Sequence, residues 1–167
     1  YVSAKTAASA VDLVRPEGRF LAGGIDLLGE MKEGLAAPAR LVNIKEIPGT
    51  RDITPGAEQW TLGVNVTLAA VAGHEALRQV LPGLAQAAEE VGSAQMRNVA
   101  TVGGNLAQHS RCWYYRQRDL VCAKKGGRRC LARDGENKYH SLFTDNPCIS
   151  PCVSNLAIVL SALNASV

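Results

Sequence analysis

All five cysteines of this 167-residue chain lie between Cys112 and Cys152, and none falls in the first 111 residues. That distribution limits the fold before any other feature does. A disulfide-stapled scaffold draws an even number of cysteines from a short secreted chain. Here the first two thirds must hold together by burying apolar side chains. The composition allows it, with 47% apolar and 20% charged residues and length for one domain or two small ones. The same values exclude a disordered tail. No apolar run is long enough to span a bilayer, and no signal-peptide pattern opens the sequence. Clustered thiols without that pattern point to a reducing compartment, the cytoplasm. The sequence opens on Tyr1 and closes on Leu163-Asn164-Ala165-Ser166-Val167, which reads as a helix end running into a strand. We therefore expect a longer or split natural chain.

The cysteines are spaced Cys112-x9-Cys122-x7-Cys130-x17-Cys148-x3-Cys152. Structural zinc takes paired short spacings, and only Cys148 and Cys152 offer one. Four thiolates from a long loop suit an iron–sulfur cluster better. Such a cluster is anionic, and nearby charge tunes it. The net charge of +3 conceals a matching asymmetry. Between Arg111 and Arg133 lie eight basic residues and one acid, Asp119, so this segment carries +7 and the remainder −4. A solvated face or a nucleic-acid patch is the plainer account of such a run. Buried inert cysteine is the plainer account of the thiols, but the loop is too polar to read as core. Trp113-Tyr114-Tyr115 could stack on bases or shield a cluster from water. His109 and His140 read as ordinary polar-loop histidines, and neither is assigned as a ligand.

The first fifty residues read as a βαβ unit. Ala7, Ala10, Val11 and Val14 have helical spacing, and Arg19–Ala22 is a short strand. Gly23-Gly24 breaks that strand. Asp26 is placed to cap a helix through Leu27, Leu28 and Met31, which Gly34 stops. Arg40–Ile44 is the next strand, and the crossover should be right-handed. Pro48-Gly49 marks a boundary. Beyond it, Arg51–Thr54 and Gln59–Val64 read as a strand pair, and Thr67 caps a helix through Gly73. Pro82 opens a helix burying Leu84, Ala85 and Ala88 together with Leu81 and Val91, which Gly92 ends. Ser154 caps a last helix bearing Leu156, Val159, Leu160 and Leu163.

Two glycine turns stand out. Ala22-Gly23-Gly24-Ile25-Asp26-Leu27 lies between strand and helix. Thr101-Val102-Gly103-Gly104-Asn105 adds a hydroxyl and an amide to its glycines. Glycine lets amides converge and a ligand approach closely. A diphosphate is favoured where such a turn meets a helix start. An unliganded tight turn is the plainer account of the first taken alone, and two such turns in one small chain are more suggestive than one. Neither matches a Rossmann or P-loop pattern.

Taken in order, Ala22-Gly23-Gly24-Ile25-Asp26-Leu27, Arg97-Asn98-Val99-Ala100-Thr101-Val102-Gly103-Gly104-Asn105-Leu106 and Ser154-Asn155-Leu156-Ala157 resemble the FAD-binding subunit of molybdenum hydroxylases. That family includes the medium subunits of xanthine dehydrogenase and carbon monoxide dehydrogenase and the flavin subunits of aldehyde oxidoreductases. Arg111–Arg116 and Lys124-Lys125-Gly126-Gly127 resemble the branch whose flavin subunit carries an extra [4Fe–4S] cluster. The resemblance implies an α+β, PCMH-type fold. Its parts would be an N-terminal lobe over residues 1–50 and a partial second lobe over 51–167 holding an iron–sulfur loop at 109–152. It implies FAD at Ala22–Leu27, Thr101, Gly103, Gly104, Asn105 and Asn155, and a cluster on Cys112, Cys122, Cys130 and Cys148. It implies an oxidoreductase complex whose partners are a molybdenum-cofactor large subunit and a [2Fe–2S] small subunit. Neither nucleic acid nor a membrane span belongs to that reading, and no catalytic residue of this chain would act on the organic substrate.

Three positions depart from the pattern. Ile25 replaces the usual Thr. Asn155 stands where an Asp usually meets the ribityl region. Cys152 falls where the family commonly has His. The family also continues past residue 167. Two other functions are compatible with parts of the sequence. One is a zinc-stabilised nucleic-acid-binding module built on the basic aromatic loop. The other is a structural subunit of the same complex that has lost its cofactors.

Overall fold

The computed structural model describes residues 1–167, and its first layer is a three-stranded parallel sheet. β1 (Val2–Ser3), β2 (Gly18–Leu21) and β3 (Arg40–Asn43) lie in the order β1-β3-β2, with Val2 and Phe20 both opposite Val42. α1 (Ala7–Val14) and α2 (Leu27–Lys32) are the crossovers. The expected βαβ unit is therefore present. A strand too short to read from alternation, β1, extends it. Ala4, Ala10 and Val42 form its small core, with Leu13 and Val14 against them, while Val11 faces solvent.

After Gly49, at φ +74°, β4 (Ile53–Thr54) and β5 (Thr61–Leu62) pair antiparallel. A run of short helices comes next: α3 (Leu68–Gly73), α4 (Glu75–Val80), α5 (Pro82–Glu89), α6 (Ala94–Arg97) and α7 (Val102–Leu106). The main core gathers Leu68, Val71, Leu77, Leu84, Ala88, Val102 and Leu156. Each buried Leu or Val there contributes about 1.5–3 kcal/mol. α4 lacks a clear apolar stripe and was not legible in the sequence. His74 caps it, its Nδ1 accepting from the Leu77 amide at 3.2 Å.

The cysteine loop holds only α8 (Trp113–Arg116), one 3-10 turn at Ala123–Lys125 and α9 (Leu131–Asp134) before α10 (Asn155–Ala162). Thr67 and Ser154 cap their helices as expected, each accepting an amide three residues on, at 3.1 and 3.0 Å. Leu163 does not join the inner face of α10; it ends the helix and stays exposed. No helix is long and apolar enough to cross a membrane.

Candidate functional site

The two glycine turns meet. A Cβ placed on Gly23 would lie 1.9 Å from the Val99 carbonyl oxygen, so the Ala22–Leu27 turn packs backbone to backbone against the segment leading into Thr101. Gly24 adopts φ +80°, where a side chain is strained. These two glycines answer a close approach and a left-handed backbone.

Their amides behave differently. From Ala22 through Leu27, no backbone N–H donates to any acceptor in the protein. The turn is only half-buried. In the second turn every amide from Val102 to Asn105 is already used. Val102 donates to Val66 O at 2.9 Å and Gly103 to Val64 O at 2.9 Å. Gly104 donates to Thr101 Oγ1 at 3.1 Å and Asn105 to Thr101 O at 2.8 Å. The expectation of free glycine amides is corrected there. Thr101 is the N-cap of α7, and the helix start consumes the donors.

The side chains of that turn are also engaged. Thr101 and Asn105 are buried. Asn105 Oδ1 accepts from Ser154 Oγ at 2.6 Å and the Leu156 amide at 3.4 Å, tying α7 to the start of α10. Asn155, the first residue of α10, is exposed beside this joint.

Asp26 occupies the position before α2 but makes no capping bond. Its carboxylate turns instead toward the cysteine loop. It accepts from the His109 amide at 2.7 Å and Arg116 Nη2 at 2.9 Å, and pairs closely with Arg111. Burial pushes the Asp26 carboxyl upward, but the His109 amide and the two guanidiniums outweigh it and hold it below its ordinary range. One turn on, Glu30 is 2% exposed. His109 Nδ1 lies 2.8 Å from Glu30 Oε1, and the Tyr115 hydroxyl lies 3.1 Å from that nitrogen. Burial, then the Glu30 charge, raises the Tyr115 phenol above its usual range. Sequence reasoning passed over Glu30 and gave His109 no role. Their only sequence signal is a carboxylate on an otherwise inward helix position.

Cys112, Cys122, Cys130 and Cys148 all line one small cavity, with Ser110, Tyr114, Leu131 and Ser150. All five cysteines are free thiols, and Cys152 lies outside, exposed. Cys122 and Cys130 are buried, and Cys130 packs with Ala132 and Ile149. The loop thus makes a small core of its own, which its polar sequence does not suggest. Burial disfavours the Cys130 thiolate. Hydrogen bonds from the amides of Ile149, Ala132 and Arg133, with the Arg133 charge, nevertheless bring its pKa below the usual thiol range.

The only ligand-type trio with atoms within 4.8 Å of one another is Asp26, Glu30 and His109, where Arg111 and Arg116 already supply the positive charge. No three of the thiols come within 4.8 Å of one another, too wide for ligands that each lie about 2.3 Å from one zinc. The aromatic run is used internally. Trp113 packs edge-on against His140 at 5.1 Å and Tyr139 at 6.0 Å, Tyr114 lines the cavity, and Tyr115 reaches Glu30. His140 Nε2 sits 3.1 Å from Cys112 Sγ, so it is no ordinary surface histidine.

The whole chain, residues 1–167, matches the family described as the FAD binding domain in molybdopterin dehydrogenase. The aldehyde oxidoreductase FAD-binding subunit of Escherichia coli is 30% identical over 154 residues, covering 91% of this chain and 48% of the relative. The carbon monoxide dehydrogenase medium chain of Hydrogenophaga pseudoflava is 30% identical over 157 residues, covering 87% of this chain and 55% of the relative. Among solved structures, the Hydrogenophaga pseudoflava carbon monoxide dehydrogenase lacking its Mo-pyranopterin moiety superposes with a TM-score of 0.61 at 32% identity. That superposition covers 64% of this chain and 38% of the other. The chain spans about half the length of the curated relatives it matches.

Proposed function

The chain belongs to the family of FAD-binding domains in molybdopterin dehydrogenases, and we propose that it is the flavin and iron–sulfur electron-transfer part of such an oxidoreductase complex. Substrate oxidation belongs to a molybdenum-cofactor large subunit. Electrons reach this chain through a [2Fe–2S] small subunit. When bound, FAD supplies coupled one- and two-electron transfer and a [4Fe–4S] cluster supplies one-electron transfer. The protein's own part is to hold, orient and tune them.

The observation that carries this reading is the run of unused amides from Ala22 to Leu27 beside a four-thiol cavity. Successive amides without acceptors suit a diphosphate, whose oxygens would satisfy them together. Ala22, Gly23, Gly24, Ile25, Asp26 and Leu27 are assigned that role. The absence of a hydroxyl at Ile25 leaves its amide available. Thr101, Gly103, Gly104 and Asn105 are assigned to the facing wall, held rigid by their internal hydrogen bonds. Exposed Asn155 is a neutral donor toward the ribityl chain.

Cys112, Cys122, Cys130 and Cys148 are assigned as cluster ligands. Several irons, each with its own thiolate, need sulfurs set further apart than one ion does. Amides at Cys130 favour its thiolate form. Trp113 and Tyr114 limit water access, and the eight basic residues from Arg111 to Arg133 offset the cluster's charge. Anaerobic reconstitution with iron, sulfide and FAD tests the assignment. It should yield a bound flavin spectrum and about four irons per chain. A colourless chain, or one retaining a single zinc, would refute it.

A further inference from the structure

We infer that Asp26, a positioning residue, makes occupancy of the amide cradle and loading of the thiol cavity cooperative through its grip on Arg111 and Arg116. The inference rests on the two cofactor assignments above and adds a coupling between them.

Asp26 takes part in both sites at once. Its backbone N–H is one of the unused donors, so its main-chain position sets part of the cradle. Its carboxylate is held by the two arginines that bracket Cys112 in sequence, Arg111 before it and Arg116 at the end of α8. Arg116 does not float. Its Nε donates to Ser110 O at 2.9 Å, and its backbone amide donates to Cys112 O at 2.9 Å. Ser110 Oγ accepts from the Cys112 amide at 3.0 Å and meets Ser150 Oγ at 2.5 Å, two residues from Cys148. A continuous chain of short contacts therefore runs from the cradle through Asp26, Arg116 and Ser110 to the backbone of Cys112 and to Ser150, two residues from Cys148. Glu30, nearly fully buried, braces the same corner from α2 through His109 and Arg116, at 2.8 and 3.7 Å.

Metal binding at Cys112 and Cys148 fixes the backbone around Ser110 and Arg116. That holds the guanidinium that holds Asp26, and with it the cradle amides. The loop that supplies these groups has little regular structure, so these bonds are a large part of what fixes its Ser110–Arg116 end against α2. Ligand-induced ordering of a shared element couples two sites reciprocally, typically by 5- to 150-fold in affinity.

The test is flavin affinity, read by quenching of FAD fluorescence, on the chain with its cluster loaded anaerobically and on the same chain after iron chelation. FAD should bind about tenfold more weakly to the stripped protein. Asp26→Asn should bring the two affinities together. Arg111→Gln, at a more exposed position, should shrink the ratio and serves if Asp26→Asn fails to fold. Equal affinities for the loaded and stripped parent protein, with both cofactors taken up, overturn the coupling and leave the two assignments standing. A chain that takes up only one cofactor, or neither, overturns the assignments as well.

Discussion

The two glycine turns look alike in sequence and differ in what their backbones do. Gly23-Gly24 lies in a turn whose six successive amides from Ala22 to Leu27 reach no protein acceptor. Gly103-Gly104 lies in the first turn of a helix whose amides are all paired. A pair of glycines therefore does not specify an anion cradle. What separates the cases is the chain just ahead of the glycines, Thr101-Val102 in one and Leu21-Ala22 in the other. Thr101 has a hydroxyl in N-cap position and draws the chain into helix at once. Ala22 has none, and the chain must pass through Gly24 at φ +80° before α2 begins.

The sharpest way to break that contrast is Gly23→Ala. The new methyl would meet the Val99 carbonyl oxygen at 1.9 Å, and backbone cannot yield as a side chain does. We expect a loss of about 3 kcal/mol in denaturant unfolding, with FAD binding abolished. A variant that unfolds at the parental midpoint would mean the turns do not pack as described.

Asn105→Ala probes the second turn as a joint. Asn105 is 7% exposed, and its Oδ1 is the shared acceptor for Ser154 Oγ and the Leu156 amide. Removing it leaves both donors unpaired in a buried place, at a cost of about 2 kcal/mol. Because the role assigned here is to hold the wall, FAD affinity should fall less than stability does.

Asp26→Asn separates the turns by pH. The folded-state pKa of Asp26 is depressed, so its stabilisation is complete above its ordinary value of 3.8 and is lost as pH falls through the lowered one. The parent should exceed the variant by about 1.5 kcal/mol from pH 5 to 8, the gain being limited by partial solvent exposure. The gap should close only below about pH 4. A gap that closes near neutrality would refute the assignment to Asp26.

Much of the scaffold was legible from the sequence because its signals are local. Thr67, Ser154 and Pro82 announce helix starts, and a strand, a glycine break and a second strand announce the βαβ unit. The four-cysteine cavity was legible as a cluster of residues, though not as a cavity. The features that stayed hidden depend on pairing across distance. Asp26 reads as an N-cap because Asp before a helix usually is one, yet two arginines 85 and 90 residues later compete for its carboxylate. Glu30 gives no warning that it is buried, because its partner His109 is 79 residues away. Asn65 is similar. It reaches back to Ile44 O at 2.8 Å and Thr50 Oγ1 at 2.9 Å, joining the end of the parallel sheet to the segment that leads into α3.

The smallest effect is the most discriminating for the contrast between turns. In Gly104→Ala, the added methyl would stand 3.0 Å from Thr101 Oγ1, the hydroxyl that caps the Gly104 amide. Crowding that oxygen weakens a cap worth about 1 kcal/mol in full. Against it, alanine is favoured over glycine inside a helix by about 1 kcal/mol. The two nearly cancel, and we expect a net change within about 0.5 kcal/mol. Gly103→Ala is not equivalent, because its methyl would meet Val64 O at 3.0 Å and Val64 Cβ at 3.1 Å. If Gly104 serves only a helix turn, alanine there should leave both the melting temperature and FAD affinity near the parent's. If instead a ligand must approach that α-carbon closely, stability will hold while FAD affinity collapses. Thermal unfolding and flavin titration on this one variant therefore decide whether the second turn is only a wall or a second cradle.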